Sequence, residues 1–161
     1  MPNWCEGTLK IRGSYNDIAR WCKDNLHVYR ERHKNGDWET YVDEDMVTIE
    51  ETDEITTSVS MLQDAYIEGT NRHFVQCGFE FYADENGNSK VAINIQAAWN
   101  FESEPYLEMA KKYNLDFRFY GFESGMQFNR EVVIENGELL VDNEIEFDDY
   151  FWECPCPTLG G

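Results

Sequence analysis

Between Lys90 and Trp99 every second residue is apolar: Val91, Ile93, Ile95, Ala97 and Trp99. A period of two sets these side chains on one face of a β-strand and the residues between them on the other. Such a strand has one face to bury and one to leave in water, as in an antiparallel sheet covered on a single side. Shorter alternations repeat the pattern. Thr8 to Arg12 puts Leu9 and Ile11 on one face, and Phe74 to Tyr82 reads as a strand that turns back at Asp84-Glu85-Asn86-Gly87-Asn88. Asp116 to Phe122 and Met126 to Ile134 flank Ser124-Gly125, and Asn136-Gly137 leads into a short strand from Leu139 to Val141.

Two helices interrupt the strands. Ser14 follows Gly13 and stands three residues before Asp17, a capping arrangement, after which Ile18, Trp21, Cys22 and Leu26 recur at helical spacing. Ser103-Glu104-Pro105 suits a second helix start. Leu107, Ala110 and Tyr113 mark its buried side, and Lys111 and Lys112 lie where the helix dipole favours cations. Asn35-Gly36 predicts a hairpin within Val28 to Tyr41, because both turn positions need positive φ. Residues 43–56 suit a loop, an edge strand or a short ribbon, and Ser58 to Ile67 suggests a short helix. The order predicts an α+β fold: a ferredoxin-like sandwich, mostly antiparallel, with two helices on one face. At 161 residues the chain fits a single domain, 1–161. An acidic segment of about 28–72 is inserted in it, and an acidic extension of about 142–161 loosens toward its end.

Charge is the strongest compositional signal. Thirteen Lys and Arg face 32 Asp and Glu, for a net charge of −19. It is segregated: residues 41–70 and 131–161 each carry nine acids and no Lys or Arg, whereas residues 1–40 are close to neutral. Direct binding to a nucleic-acid backbone or to anionic lipid is disfavoured, since both draw on Lys and Arg. A basic protein surface is the natural complement.

The N-terminus has neither the basic start nor the apolar core of a signal peptide, and no apolar run approaches the roughly 20 residues that span a bilayer. The five cysteines are scattered and odd in number, which suits reduced thiols in a cytoplasmic setting. Cys22 and Cys77 sit among apolar neighbours, as core residues do. Cys154-Pro155-Cys156-Pro157 is a single C-x-C pair without the second pair a zinc site needs. His27, His33 and His73 stand apart from any nucleophile motif, and no glycine-rich phosphate loop occurs. The sequence thus points away from an enzyme and implies no cofactor or metal. The stripe of Phe79, Phe81, Phe117, Phe119, Tyr120 and Phe122 alternates along strands, so half of it should be core.

Two stretches resemble one family. Met1-Pro2-Asn3-Trp4-Cys5 with Gly7-Thr8-Leu9-Lys10-Ile11-Arg12-Gly13 is similar to the opening of the YubB-like ferredoxin-domain proteins of phages and plasmids. So is Ala98-Trp99, with a helix ending Lys112-Tyr113-Asn114-Leu115-Asp116-Phe117 and then Tyr120-Gly121-Phe122-Glu123-Ser124-Gly125-Met126-Gln127-Phe128. Gln96-Ala97-Ala98-Trp99-Asn100 departs from the family pattern, and residues 28–72 lie outside the resemblance. The resemblance implies a ferredoxin-like fold and a home in a mobile genetic element, and it implies no reaction.

The acidic runs are interleaved with large apolar residues. Asp43, Glu44, Asp45, Glu50, Glu51, Asp53 and Glu54 surround Met46, Val47 and Ile49. Glu144, Glu146, Asp148, Asp149 and Glu153 surround Ile145, Phe147, Tyr150, Phe151 and Trp152. Carboxylates beside aromatic anchors combine steering charge with contact area. Along a strand, Glu144, Glu146 and Asp148 would share one face at about 7 Å spacing, near that of successive phosphates. The leading expectation is a protein of a phage or other mobile element that occupies the basic groove of a host nucleic-acid-binding protein. A CRISPR effector or a restriction enzyme is the kind of defence target meant. Phosphate mimicry would be the means, and Trp38, Phe151 and Trp152 would add desolvated contact. A small metal-dependent hydrolase and a structural protein with a merely solvated acidic face are the alternatives. An unpaired strand edge leaves room for a homodimer.

Overall fold

The computed structural model describes residues 2–161. Its elements in chain order are β1 (Trp4–Ser14), α1 (Tyr15–Asn25), β2 (Leu26–His27), β3 (Tyr29–Lys34), β4 (Asp37–Val42), β5 (Val47–Glu51), β6 (Thr56–Met61), β7 (Ala65–Ile67), β8 (His73–Val75), β9 (Phe79–Tyr82), β10 (Asn88–Ala98), α2 (Glu104–Tyr113), β11 (Asp116–Glu123), β12 (Phe128–Glu135), β13 (Glu138–Glu146) and α3 (Tyr150–Glu153). The fold is α+β, a mostly antiparallel sheet structure with three short helices.

The principal sheet has eight strands in the order β13-β12-β11-β1-β10-β8-β7-β2. β1 is its axis. It pairs along its whole length with β10, Leu9 opposite Ile93 and Ile11 opposite Val91, and on its other side with β11, Leu9 opposite Phe119. The alternation seen in the sequence is therefore shared by three neighbouring strands. Leu9 and Ile11, Val91 to Ala97, and Phe117 and Phe119 all turn to one side, where α1 and α2 cover them. Trp21 of α1 lies against Phe117, and Phe101 stacks on Phe119 at 4.0 Å and on Tyr106 at 4.5 Å. Each fully buried ring contributes roughly 2–3 kcal/mol of transfer free energy. Opposite Gly121, Gly7 brings the two backbones close: a Cβ there would lie 2.1 Å from the carbonyl oxygen of Tyr120.

Helix α1 starts where the cap requires. Ser14 accepts from the Asp17 amide at 3.1 Å, and its hydroxyl donates to the Asp17 carboxylate at 2.7 Å. Two smaller sheets complete the chain. β3 and β4 form a hairpin at Asn35-Gly36, both residues with positive φ, exposed along nearly its whole length. β5, β6 and β9 form a three-stranded sheet, whose Thr57 and Phe81 meet Tyr15 of α1.

Several expectations need correction. Ser58 to Ile67 is not a helix: it holds most of β6 and all of β7. Thr56, Thr57 and Val59 are β-branched, and Thr57 and Val59 are buried at period two, which fits a pleat and not a helical face. Phe74 to Tyr82 is two strands in two sheets, broken at Gln76–Gly78, where Gly78 passes within 2.7 Å (from an added Cβ) of the Val59 carbonyl. Trp99 does not continue the buried row of β10. It has a φ of +70° and is 57% exposed, and Phe101 fills the core in its place. Cys77 is exposed. The short strand expected at Leu139–Val141 runs on to Glu146, with a bulge at its own Leu140, opposite the Val133–Ile134 step of its partner. Nor does the tail come away: Gly161 donates to the Trp4 carbonyl at 2.8 Å, and Ser124 donates to the Gly160 carbonyl at 2.7 Å. Among the described residues no helix is long and apolar enough to cross a membrane.

Candidate functional site

The two acidic runs are placed on opposite flanks. β13 is one edge of the principal sheet, while residues 43–54 hang beside the other, where the Asp43 amide bonds the Val28 carbonyl next to β2. Seven strand spacings separate the two edges, on the order of 30 Å. One small interface therefore does not take in both.

Within the central run the carboxylates divide. Asp43 is ion-paired with Arg30 at 2.7 Å and Glu51 with Lys23 at 3.0 Å. Asp53 shapes its own turn: its carboxylate accepts from the Ile55 amide at 2.9 Å, and that bond holds it below the usual carboxylate range. Glu44, Asp45, Glu50 and Glu54 are exposed and carry no ion pair among the described residues. Trp38, 72% exposed, lies on the hairpin against His33.

The C-terminal run is more organised. Glu144 and Glu146 alternate on β13, opposite Arg130 and Phe128 of β12, and Glu144 accepts from Asn100 at 3.2 Å. Asp148 lies beyond the end of the strand, so it does not extend that row. Asp149 caps α3 by accepting from the Trp152 amide at 3.2 Å. Glu153 returns the contact to the amides of Asp148 and Asp149 at 3.1 and 3.3 Å. The single turn is pinned from beneath, where Tyr150 donates to Asn129 at 3.1 Å and Cys154 packs on the same amide at 3.5 Å. Burial of Tyr150 forces its neighbours outward, leaving Phe151 73% and Trp152 86% exposed. Two large rings thus stand in water on a fixed turn that also carries Asp148, Asp149 and Glu153. An apolar surface held rigid and rimmed by charge marks a protein contact.

The anchors Asn129 and Cys154 were not legible as such in the sequence. Tyr150 and Cys154 show only the i, i+4 spacing of one helical turn, and Asn129 gives no signal. Four cations escaped notice for the same reason. Lys10 and Arg12 come from β1, Lys90 from β10 and Arg118 from β11, and only pairing makes them neighbours.

Thiol chemistry finds little support. Burial pushes Cys5 and Cys22 up to about 12, so both are protonated at neutral pH. Cys154 is turned to Asn129 while Cys156 faces solvent. Among the described residues no three His, Cys, Asp or Glu side chains converge as a metal site. His73 is fully buried, 3.0 Å from the Tyr106 hydroxyl through Nδ1, and its Nε2 has no hydrogen-bond partner among the described residues.

Comparison with protein-family models, with curated proteins and with solved structures finds no match to this chain.

Proposed function

We propose that the protein is a stoichiometric ligand of a positively charged protein surface, of the kind that ordinarily holds a nucleic-acid backbone. The observation that carries this reading is the pair of exposed rings, Phe151 and Trp152, on a pinned turn among carboxylates. A basic partner gains charge complementarity from Glu144, Glu146, Asp148 and Asp149 and desolvated area from the rings. The central acids, Glu44, Asp45, Glu50 and Glu54, lie on the far flank. They serve as long-range steering charge or meet a partner broad enough to reach both edges.

The likeness of both ends of the chain to the YubB-like proteins extends the proposal to a mobile element, with a host defence protein as target. A ferredoxin-like arrangement belongs to the same proposal. What supports it is the antiparallel run β11-β1-β10-β8 with α1 after the first strand and α2 after the third. In that arrangement the second-strand place falls to β8, and β12, β13, β7 and β2 extend the two edges.

The test is a tagged pull-down from host lysate at low and high salt, followed by competition with DNA for each captured protein. Trp152→Ser with Phe151→Ser is the first variant, and Glu144→Gln, Glu146→Gln, Asp148→Asn and Asp149→Asn together are the second. A nucleic-acid-binding protein should be captured, released by salt and DNA, and bound by the ring variant at least about 30-fold more weakly, the effect of losing one aromatic hot spot. Equal capture by native protein and both variants would sink the proposal.

A further inference from the structure

The face of the principal sheet away from α1 and α2 carries an arrangement that a solubilising surface does not explain. Arg12 is directly opposite Lys90 across β1 and β10, and Lys10 is directly opposite Arg118 across β1 and β11. Like charges directly opposite are destabilising, with Cβ atoms about 5 Å apart. With 32 acids to draw on, this chain instead sets four of its 13 bases in one block. Asp116 pairs with Arg12 at 2.5 Å and Glu135 with Arg118 at 2.6 Å. Lys10 and Lys90 have no carboxylate within 4.0 Å among the described residues, although most other bases of the chain have a carboxylate or an aromatic ring.

The block lines a groove of about 420 Å³, and a second groove of about 370 Å³ adjoins it. The two share Lys10 and Arg118. The first is lined by the four bases together with Asp116 and Glu135, so its net positive charge is that of Lys10 and Lys90, and the second is walled by Tyr120, Phe122 and Glu131, the two rings meeting edge to face at 5.4 Å. Tyr120 lies two residues beyond Arg118 on the same face, 38% exposed, and its hydroxyl accepts from Asn129 at 3.2 Å, which holds the ring in place. Phosphate and a flat ring are the chemistry these adjoining grooves fit. Together they have the volume of a small-molecule site.

We propose that this face binds a nucleoside phosphate, its phosphate between Lys10 and Lys90 with the Arg12 and Arg118 guanidinium groups beside it, and its base on Tyr120. A small ligand is favoured over a polymer. Screening at about 8 Å lets a mononucleotide feel the local cations, whereas a strand running across the surface meets the field of a chain at −19. Of the residues assigned to the protein-binding turn, the site draws only on Asn129, which holds Tyr120 as well as Tyr150.

The test is a 1H–15N titration at low salt with AMP, with inorganic phosphate, with adenosine and with an eight-nucleotide single-stranded DNA, checked by calorimetry. AMP should shift residues 8–12, 90–94 and 118–120 saturably, in the millimolar range or tighter. Lys10→Gln with Lys90→Gln should weaken AMP and phosphate at least 10-fold with a Tm no lower than that of the native protein, since both like-charge pairs are relieved. Tyr120→Leu should weaken AMP and leave phosphate unchanged. Absence of saturable shifts at 10-fold excess over a millimolar Kd, or indifference to the lysine variant, overturns the site. Equal affinity for AMP and phosphate overturns the nucleotide assignment, and tighter binding of the oligonucleotide overturns the preference for a small ligand.

Discussion

Removing the titration of His73 should flatten the acid side of this protein's stability curve. The imidazole is fully buried among Phe101 and Tyr106, and burial pushes it from its ordinary value of 6.5 down to about 4. The Asn100 backbone pulls the other way, but it stands outside hydrogen-bonding geometry to Nε2. The unfolded chain therefore takes up a proton first as pH falls. The stability held above pH 6.5 is lost through the interval from 6.5 to 4 and no further below it. Each pH unit there carries up to about 1.4 kcal/mol, so the loss is about 2 kcal/mol at pH 5 and about 3 kcal/mol by pH 4. His73→Phe alone would strand the Tyr106 hydroxyl, so the variant of choice is His73→Phe with Tyr106→Phe. Replacing both partners by apolar groups of like shape is close to neutral at pH 7.5. Urea unfolding followed by tryptophan fluorescence between pH 7.5 and 4.5 is the assay. At pH 5 the native protein should have lost about 2 kcal/mol more than the variant, a midpoint difference of about 1 M urea. Parallel pH curves would show that His73 is protonated in the folded state, and the reasoning from burial would fail.

Two further perturbations probe the frame. Gly7→Ala drives a Cβ to 2.1 Å from the Tyr120 carbonyl, a backbone contact that no rotamer relieves. The loss should reach or exceed the upper end of the roughly 1–3 kcal/mol of ordinary overpacking, read as a drop in Tm or in soluble yield. Ser14→Ala removes the α1 cap and should cost about 1 kcal/mol in urea unfolding, whereas Ser14→Asp should retain most of it.

The strands β1, β10, β11 and β12 and the helices α1 and α2 were legible because each signal is local. A period of two, a serine three residues before an acid and an Asn-Gly pair all act within a few residues, and the core they imply is found except at Trp99, which turns to solvent. Ser58 to Ile67 failed because short mixed runs carry no decisive period, and pairing with β5 and β9 settled their state. Phe74 to Tyr82 failed because a sheet change at Gly78 depends on a backbone from elsewhere in the chain. The sequence by itself determined the sign and segregation of charge, the class of fold and the aromatic residues beside the acids. Only tertiary structure decided which of these meet. Strand order put the two acidic runs on opposite flanks, because position across a sheet is set by pairing and not by distance along the chain. The same pairing drew Lys10, Arg12, Lys90 and Arg118 into one block from three strands, and the docking of Tyr150 on Asn129 turned Phe151 and Trp152 into water.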